Sequence, residues 1–201
     1  MATSPKKLRT GDIVLFNEYS NSCWLSYVEA AIRCCTNSIY SHVGIVLVDP
    51  PWAPAGTYIW DSSRHMHPDP QDNKIKFGIA LVPLDEYVNT KTSRQQLYVR
   101  SPLDPAVYDR FTPEKLSEIH DAVYGKHYDL DLGHWLAGMF HTLIPRTTDR
   151  FFCSAFASFF LAKCGVLADE TDWTVVSPAM LSSRGKGLAW QAEYGDDEKY
   201  P

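Results

Sequence analysis

Between Phe151 and Gly165 the chain reads FFCSAFASFFLAKCG, and this stretch sets the strongest limit on the fold. Phe152, Phe156, Phe159 and Phe160 recur at helical spacing, Leu161 and Cys164 continue the apolar run, and Gly165 stops it. A helix this apolar has to be covered by other elements, so its first turn is held rigidly. That turn carries Cys153. The N-terminal end of a helix has partial positive charge and unpaired N–H groups, which together favour a thiolate. A fixed, partly exposed thiolate is what nucleophilic catalysis by cysteine requires. On local sequence alone, Cys153 reads equally as a small core residue.

A chain of 201 residues suits a single domain, and 45% apolar against 21% charged residues allows a core of useful size. The net charge of −5 and the absence of a basic stripe argue against a nucleic-acid partner. No apolar run reaches the roughly 18 residues needed to cross a bilayer, so no stable membrane insertion is expected. The N-terminus lacks a signal core after its lysines. Five cysteines, at 23, 34, 35, 153 and 164, form neither a C-x-x-C pair nor a disulfide framework. The expectation is a reduced, cytoplasmic protein.

Along the chain, GDIVLF (11–16) reads as a first strand. A helix follows over about Cys23 to Cys34, capped by Ser22, with Trp24, Val28, Ala31 and Ile32 on one face. HVGIVLV (42–48) reads as a central strand and TYIWD (57–61) as a third, separated by a proline-rich loop. Residues 63–74 read as a polar loop, and KFGIALVPL (76–84) and QLYVR (96–100) as further strands. A helix begins at Thr112, with Pro113 at its first position and Leu116, Ile119 and Val123 inward; Gly125 ends it. The stretch 128–145 is aromatic and mixed, with partial helix expected; Pro178 suits the start of a short helix. Residues 190–201 read as a flexible tail. Strands gather in the first half and helices in the second, which predicts an α+β domain over 1–201 with an antiparallel sheet of about five strands.

Cysteine catalysis needs a base within reach of the sulfur and a third group orienting that base. Of seven histidines, His42 alone opens an apolar strand, a rigid support for a catalytic group. Gly44, just beyond, leaves room for a neighbouring chain. If strands 42–48 and 57–61 pair antiparallel, Asp61 returns beside His42, where a carboxylate fixes the imidazole tautomer and stabilises the imidazolium. Taken singly, His42 also reads as a hydrogen-bonded strand-edge histidine and Asp61 as a solvated aspartate.

The order GDIVLF, then YSHVGIV, then an acidic residue ending the next strand, then FCSAF opening a late helix, resembles the permuted papain-like amidases. These are the YiiX/YaeF type of the NlpC-related superfamily, with poxviral relatives and more distant lecithin:retinol acyltransferase cousins. In ordinary papain-fold enzymes the cysteine helix precedes the histidine strand; in this group, as here, the order is reversed. The resemblance spans about residues 9 to 182, including YGKHYDLD and SPAML. It implies a circularly permuted papain-like fold, with Cys153 as nucleophile, His42 as base and Asp61 as orienting acid. The family commonly places Glu before Ala at the third position, where this chain has Asp61 before Ser62.

The implied activity is a cysteine hydrolase cleaving an amide in a peptide, an isopeptide, or an acylated amino acid or lipid, through a thioester and without cofactor or metal. A lipid acyltransferase or thiol lipase is the catalytic alternative, and a silent binding domain the other. Peripheral membrane contact would follow from a lipid substrate. An open polar cleft would favour peptide, and a pocket lined by Trp and Phe would favour lipid. Tyr40 and Tyr19 are considered as second oxyanion donors. His65 and His67, with Asp69 and Asp72 nearby, have metal-ligand character, but their polar, proline-broken setting favours a solvated loop. Cys23, Cys34 and Cys35 read as packing residues, and His134, His141, Trp135, Met139 and Phe140 as structural or pocket-lining ones. Gly185 and Gly187 have no phosphate-loop context.

Overall fold

The computed structural model describes residues 7–17, 38–89, 96–128 and 150–201. The β-branched and aromatic stretches read from the sequence form strands β1 (Ile13–Asn17), β2 (His42–Val48), β3 (Thr57–Arg64), β4 (Phe77–Pro83) and β5 (Gln96–Arg100). They lie side by side in the order β4-β3-β2-β1-β5, every pair antiparallel. Three two-residue strands extend the edges. β6 (His127–Tyr128) joins β4, β7 (Arg150–Phe151) runs parallel to β6, and β8 (Glu198–Lys199) joins β5. The result is a mixed α+β fold on an open, largely antiparallel sheet, as the clustering of strands ahead of helices implies.

Strand side chains alternate between the two faces of the sheet. On one face, Ile13, Leu15, Val43, Ile45, Leu47 and Trp60 meet the helices α2 (Pro113–Val123) and α3 (Cys153–Lys163). Every α3 residue from Cys153 to Ala162 is buried. Phe156 meets Trp60 edge to face at 4.9 Å, and Phe160 stacks on Phe111 at 5.8 Å. Helix α2 begins as its sequence predicts: Thr112 Oγ1 accepts from the Lys115 N–H at 3.2 Å, and Leu116, Ile119 and Val123 face inward. Such a cap stabilises a helix by about 1 kcal/mol. On the opposite face, Val14, Phe16, Val46, Ile59, Leu97 and Val99 form a smaller cluster, packed against Tyr87 of the short helix α1 (Leu84–Asn89).

Four expectations are corrected. Strand β3 continues three residues past Asp61, because Ser62, Ser63 and Arg64 pair with Ile79, Gly78 and Phe77 of β4. Asp61 is therefore mid-strand and more firmly held than a strand terminus. The segment after β3 is less solvated than read: Met66, His67 and Pro68 are exposed, but the His65 N–H donates to the Lys76 carbonyl at 3.1 Å, and Asp69 is buried beneath donors from Gln71, Lys76 and Leu81. Residues 84–89 form a helix where the sequence reading places none.

The tail is also ordered. β5 would otherwise expose an unpaired edge, and Glu198 and Lys199 cover it. The buried Arg100 guanidinium reinforces this, donating to the carbonyls of Leu181, Ser182, Tyr194 and Gly195. The Pro178 segment makes one 3-10 turn. The helix read over Cys23 to Cys34 and the 129–145 stretch lie outside the described residues. Among those described, no helix is long and apolar enough to cross a membrane.

Candidate active site

His42 is the first residue of β2, opposite Phe16 of β1. The Ser41 N–H donates to the Phe16 carbonyl at 3.0 Å, fixing the backbone where the strand begins. The Phe16 ring then packs on the imidazole with centroids 4.9 Å apart. Pairing of Ile45 with Trp60 brings Asp61 across from Gly44, on the same face as His42. The strand-return argument made from the sequence therefore describes the geometry. His42 Nε2 and Asp61 Oδ2 share a short hydrogen bond.

Asp61 is wholly buried. Tyr87 donates its hydroxyl to the same Oδ2 at 3.1 Å, and His65 Nε2 lies 3.5 Å from Oδ1. Burial pushes the carboxyl pKa up, but the histidines His65 and His42 and the Tyr87 hydroxyl outweigh it and hold Asp61 below the usual carboxylate range. Gly44 makes this approach feasible. A Cβ there would stand 2.5 Å from Ile59 Cγ2 and 3.2 Å from Asp61 Cβ.

Cys153 opens α3 beside the His42 ring and acts on its titration. Since Asp61 occupies Nε2, Nδ1 is the ring nitrogen left for a partner. Burial lowers the His42 pKa, yet negative charge on the Cys153 sulfur and on Asp61, with hydrogen bonds to both, raises it well above the ordinary histidine value. The imidazolium is thus the favoured form of His42. The three residues read from the sequence come together in the order Cys153–His42–Asp61. Cys153 departs from expectation in one respect: it is 4% exposed rather than partly open. Cys164, at the other end of α3, behaves differently, because burial pushes its thiol up to about 12 and leaves it inert.

Helix geometry leaves the first-turn amides of α3, including Cys153 N–H, without intrahelical partners. No side chain of Phe152 caps them. Tyr40 does not supply a second donor, because its one hydroxyl proton goes to Asp197 Oδ2 at 2.9 Å. Tyr19 lies outside the described residues, as do Cys23, Cys34, Cys35, His134, Trp135, Met139, Phe140 and His141. An open cleft of about 860 Å³ sits beside the start of β2, where Ser38–Tyr40 face the segment Ser177–Lys186. Its lining includes Tyr40, Tyr98, Met180, Arg184, Lys186 and Asp197, with no Trp or Phe among the described residues. Gly185 lets this segment fold tightly, since a Cβ there would meet the Met180 carbonyl oxygen at 2.1 Å.

Sequence reasoning missed Tyr87 and His65. Tyr87 stands on the unanticipated helix α1, for which the acidic pair Asp85 and Glu86 after Pro83 was the available signal. His65 drew attention only as half of an H-x-H pair. Among the described residues, no group of three or more His, Cys, Asp or Glu side chains is arranged to hold a metal ion. No protein-family model matches the chain, and no curated protein matches it.

Proposed function

We propose that this protein is a cysteine hydrolase of permuted papain-like fold that cleaves an amide bond through a thioester. The observation that carries the reading is the His42 ring held between the Cys153 sulfur and the Asp61 carboxylate, on three separate elements. A histidine whose pKa is raised by two flanking anions stores a proton as an imidazolium while leaving the sulfur as a thiolate.

In the first step the Cys153 thiolate attacks the substrate carbonyl, and the negative charge moves to the carbonyl oxygen. The Cys153 N–H, at the positive end of α3, is oriented to stabilise that oxyanion. Collapse of the tetrahedral adduct breaks the C–N bond as His42 Nδ1 gives its proton to the departing amine. His42, now neutral, takes a proton from water, and the hydroxide formed attacks the thioester. The second collapse releases a carboxylic acid and returns the thiolate and imidazolium. Asp61 keeps its charge throughout and fixes which ring nitrogen faces sulfur. The cleft beside β2 is lined by Tyr, Ser, Arg, Lys and Asp together with Ile39, Ala179 and Met180, and Cys153, His42 and Asp61 are not part of its lining.

The test is intact-mass labelling by iodoacetamide from about pH 4 to 9, on the protein and on His42→Ala, followed by a panel of amide and ester substrates. Cys153 is expected to label first below neutral pH, and to lose that behaviour without His42. If Cys153 labels only above about pH 8, like a free thiol, there is no ion pair and the hydrolase reading falls.

A further inference from the structure

A buried carboxylate must have both oxygens compensated, and at Asp61 the two oxygens differ. Oδ2 takes His42 Nε2 and the Tyr87 hydroxyl. Oδ1 is buried and, among the described residues, accepts no hydrogen bond; the nearest polar group is His65 Nε2 at 3.5 Å. That nitrogen carries a proton, because it donates to the Gly78 carbonyl at 3.0 Å, and Ser63 Oγ lies 3.4 Å away. His65 is itself 7% exposed and anchored through its backbone N–H to the Lys76 carbonyl. It lies four residues beyond Asp61, just past the end of β3, and faces the carboxylate oxygen that His42 does not bind.

We propose that His65 is a positioning residue that closes the string Cys153–His42–Asp61–His65. His65 Nε2, whose proton goes to the Gly78 carbonyl, packs against Oδ1 at 3.5 Å, and the Tyr87 hydroxyl holds Oδ2 from α1. Together they stop the carboxylate rotating away from His42. The buried ring fills the space beside Oδ1 without adding a hydrogen bond to the carboxylate, so Asp61 keeps its hydrogen bonds to His42 and Tyr87. The charged and titratable groups around His65 are Asp61 from β3, Arg64 and His67 from its own segment, and Glu86 and Tyr87 from α1. Arg64, His67, Glu86 and Tyr87, with His65 itself, line a cavity of about 240 Å³ on this side of the site.

The inference rests on the hydrolase reading for its consequence, but its geometry is measurable without chemistry. The experiment compares the protein, His65→Ala, His65→Gln and Tyr87→Phe by two readouts. One is the pH profile of Cys153 alkylation. The other is the His42 titration followed by ¹⁵N NMR of the ring. His65→Ala is expected to lower the His42 pKa and to slow alkylation about tenfold at pH 6, the factor that one pKa unit implies. His65→Gln, which refills the space beside Oδ1 and restores an N–H for the Gly78 carbonyl, recovers most of the loss. In an Asp61→Asn background, His65→Ala adds nothing further, since the two act through one contact.

Unchanged His42 titration in a folded His65→Ala protein overturns the proposal, as does an additive effect on Asp61→Asn. Should His65→Ala fail to fold, His65→Gln and Tyr87→Phe decide. An effect of Tyr87→Phe of several-fold, with Gln near wild type, upholds the string, and a Tyr87→Phe profile matching wild type overturns it. A shifted His42 titration with no amidase activity in any form would count against the hydrolase reading while leaving this one intact.

Discussion

The most exacting perturbation is the addition of one methyl group at Gly44. On the ideal backbone that methyl stands 2.5 Å from Ile59 Cγ2, 3.2 Å from Asp61 Cβ and 3.4 Å from the Trp60 carbonyl oxygen. Carbon atoms rest about 3.5 to 4.0 Å apart, so Ile59 must move by roughly 1 Å and Asp61 by a few tenths. Ile59 is a β-branched residue at 0% exposure, packed with Val14, Phe16 and Val46, and its γ-methyl cannot swing clear without a new rotamer. Overpacking of this kind costs about 1 to 3 kcal/mol, and the better strand propensity of alanine returns about 0.5 to 1. A net loss of about 1 to 2 kcal/mol lowers Tm by roughly 2 to 8 °C in a chain of this size.

The functional effect should exceed the structural one. Asp61 moves while His42 stays, and a displacement of about 1 Å in a catalytic array can reduce rate about a hundredfold. We expect Gly44→Ala to label at Cys153 at least tenfold more slowly than wild type below neutral pH, a factor corresponding to about one pKa unit. Val46→Ala is the control, because it loosens the same cluster without pushing on Asp61. Melting temperature by circular dichroism and labelling by intact mass supply both numbers. A Gly44→Ala protein with lowered Tm but wild-type labelling would show that Asp61 is not pinned through this contact. One with wild-type Tm would refute the packing argument itself.

Two further outcomes follow from buried charge. Asp61 has its folded pKa below the ordinary carboxylate value, so it contributes stability above about pH 3.8 that fades as pH falls through the folded pKa. Asp61→Asn should therefore be less stable than wild type at neutral pH, with the gap closing in acid; urea melts at a series of pH values test this, and a constant gap refutes it. Arg100, donating to four carbonyls while buried, is the tie between β5 and the tail. Arg100→Ala should cost about 3 kcal/mol by orphaning those oxygens, and should speed hydrogen exchange first in residues 194–201. Unaltered exchange there would mean that β8 is held by other contacts.

The comparison of sequence with structure turns on which signals are local. The helix at Thr112 announces itself through its cap, its first-turn proline and its inward stripe, all within one segment. Strands β1, β2, β4 and β5 were likewise readable from β-branched runs between turn residues. The pairing of His42 with Asp61 could be argued because an antiparallel return is nearly obligatory for two neighbouring strands. The Cys153 helix was legible because a segment so apolar has few places to go.

What remained was set by partners distant in sequence. Nothing in TYIWD says that the strand runs on to Arg64; the ladder offered by β4 decides it. Nothing in Glu198–Lys199 signals a strand, since these residues pair only because β5 leaves an edge and Arg100 secures the turn before them. His65 reads as a loop histidine until β3 and β4 carry it beneath Asp61, and Tyr87 as an ordinary surface tyrosine until α1 folds over the same carboxylate. Composition, periodicity and capping thus indicated the α+β class, whereas Cys153, His42 and Asp61 were singled out by the antiparallel return of two strands together with a family resemblance. The tertiary structure decided how deeply each is buried and what surrounds the Asp61 carboxylate, because desolvation and hydrogen-bond satisfaction depend on contacts across the fold.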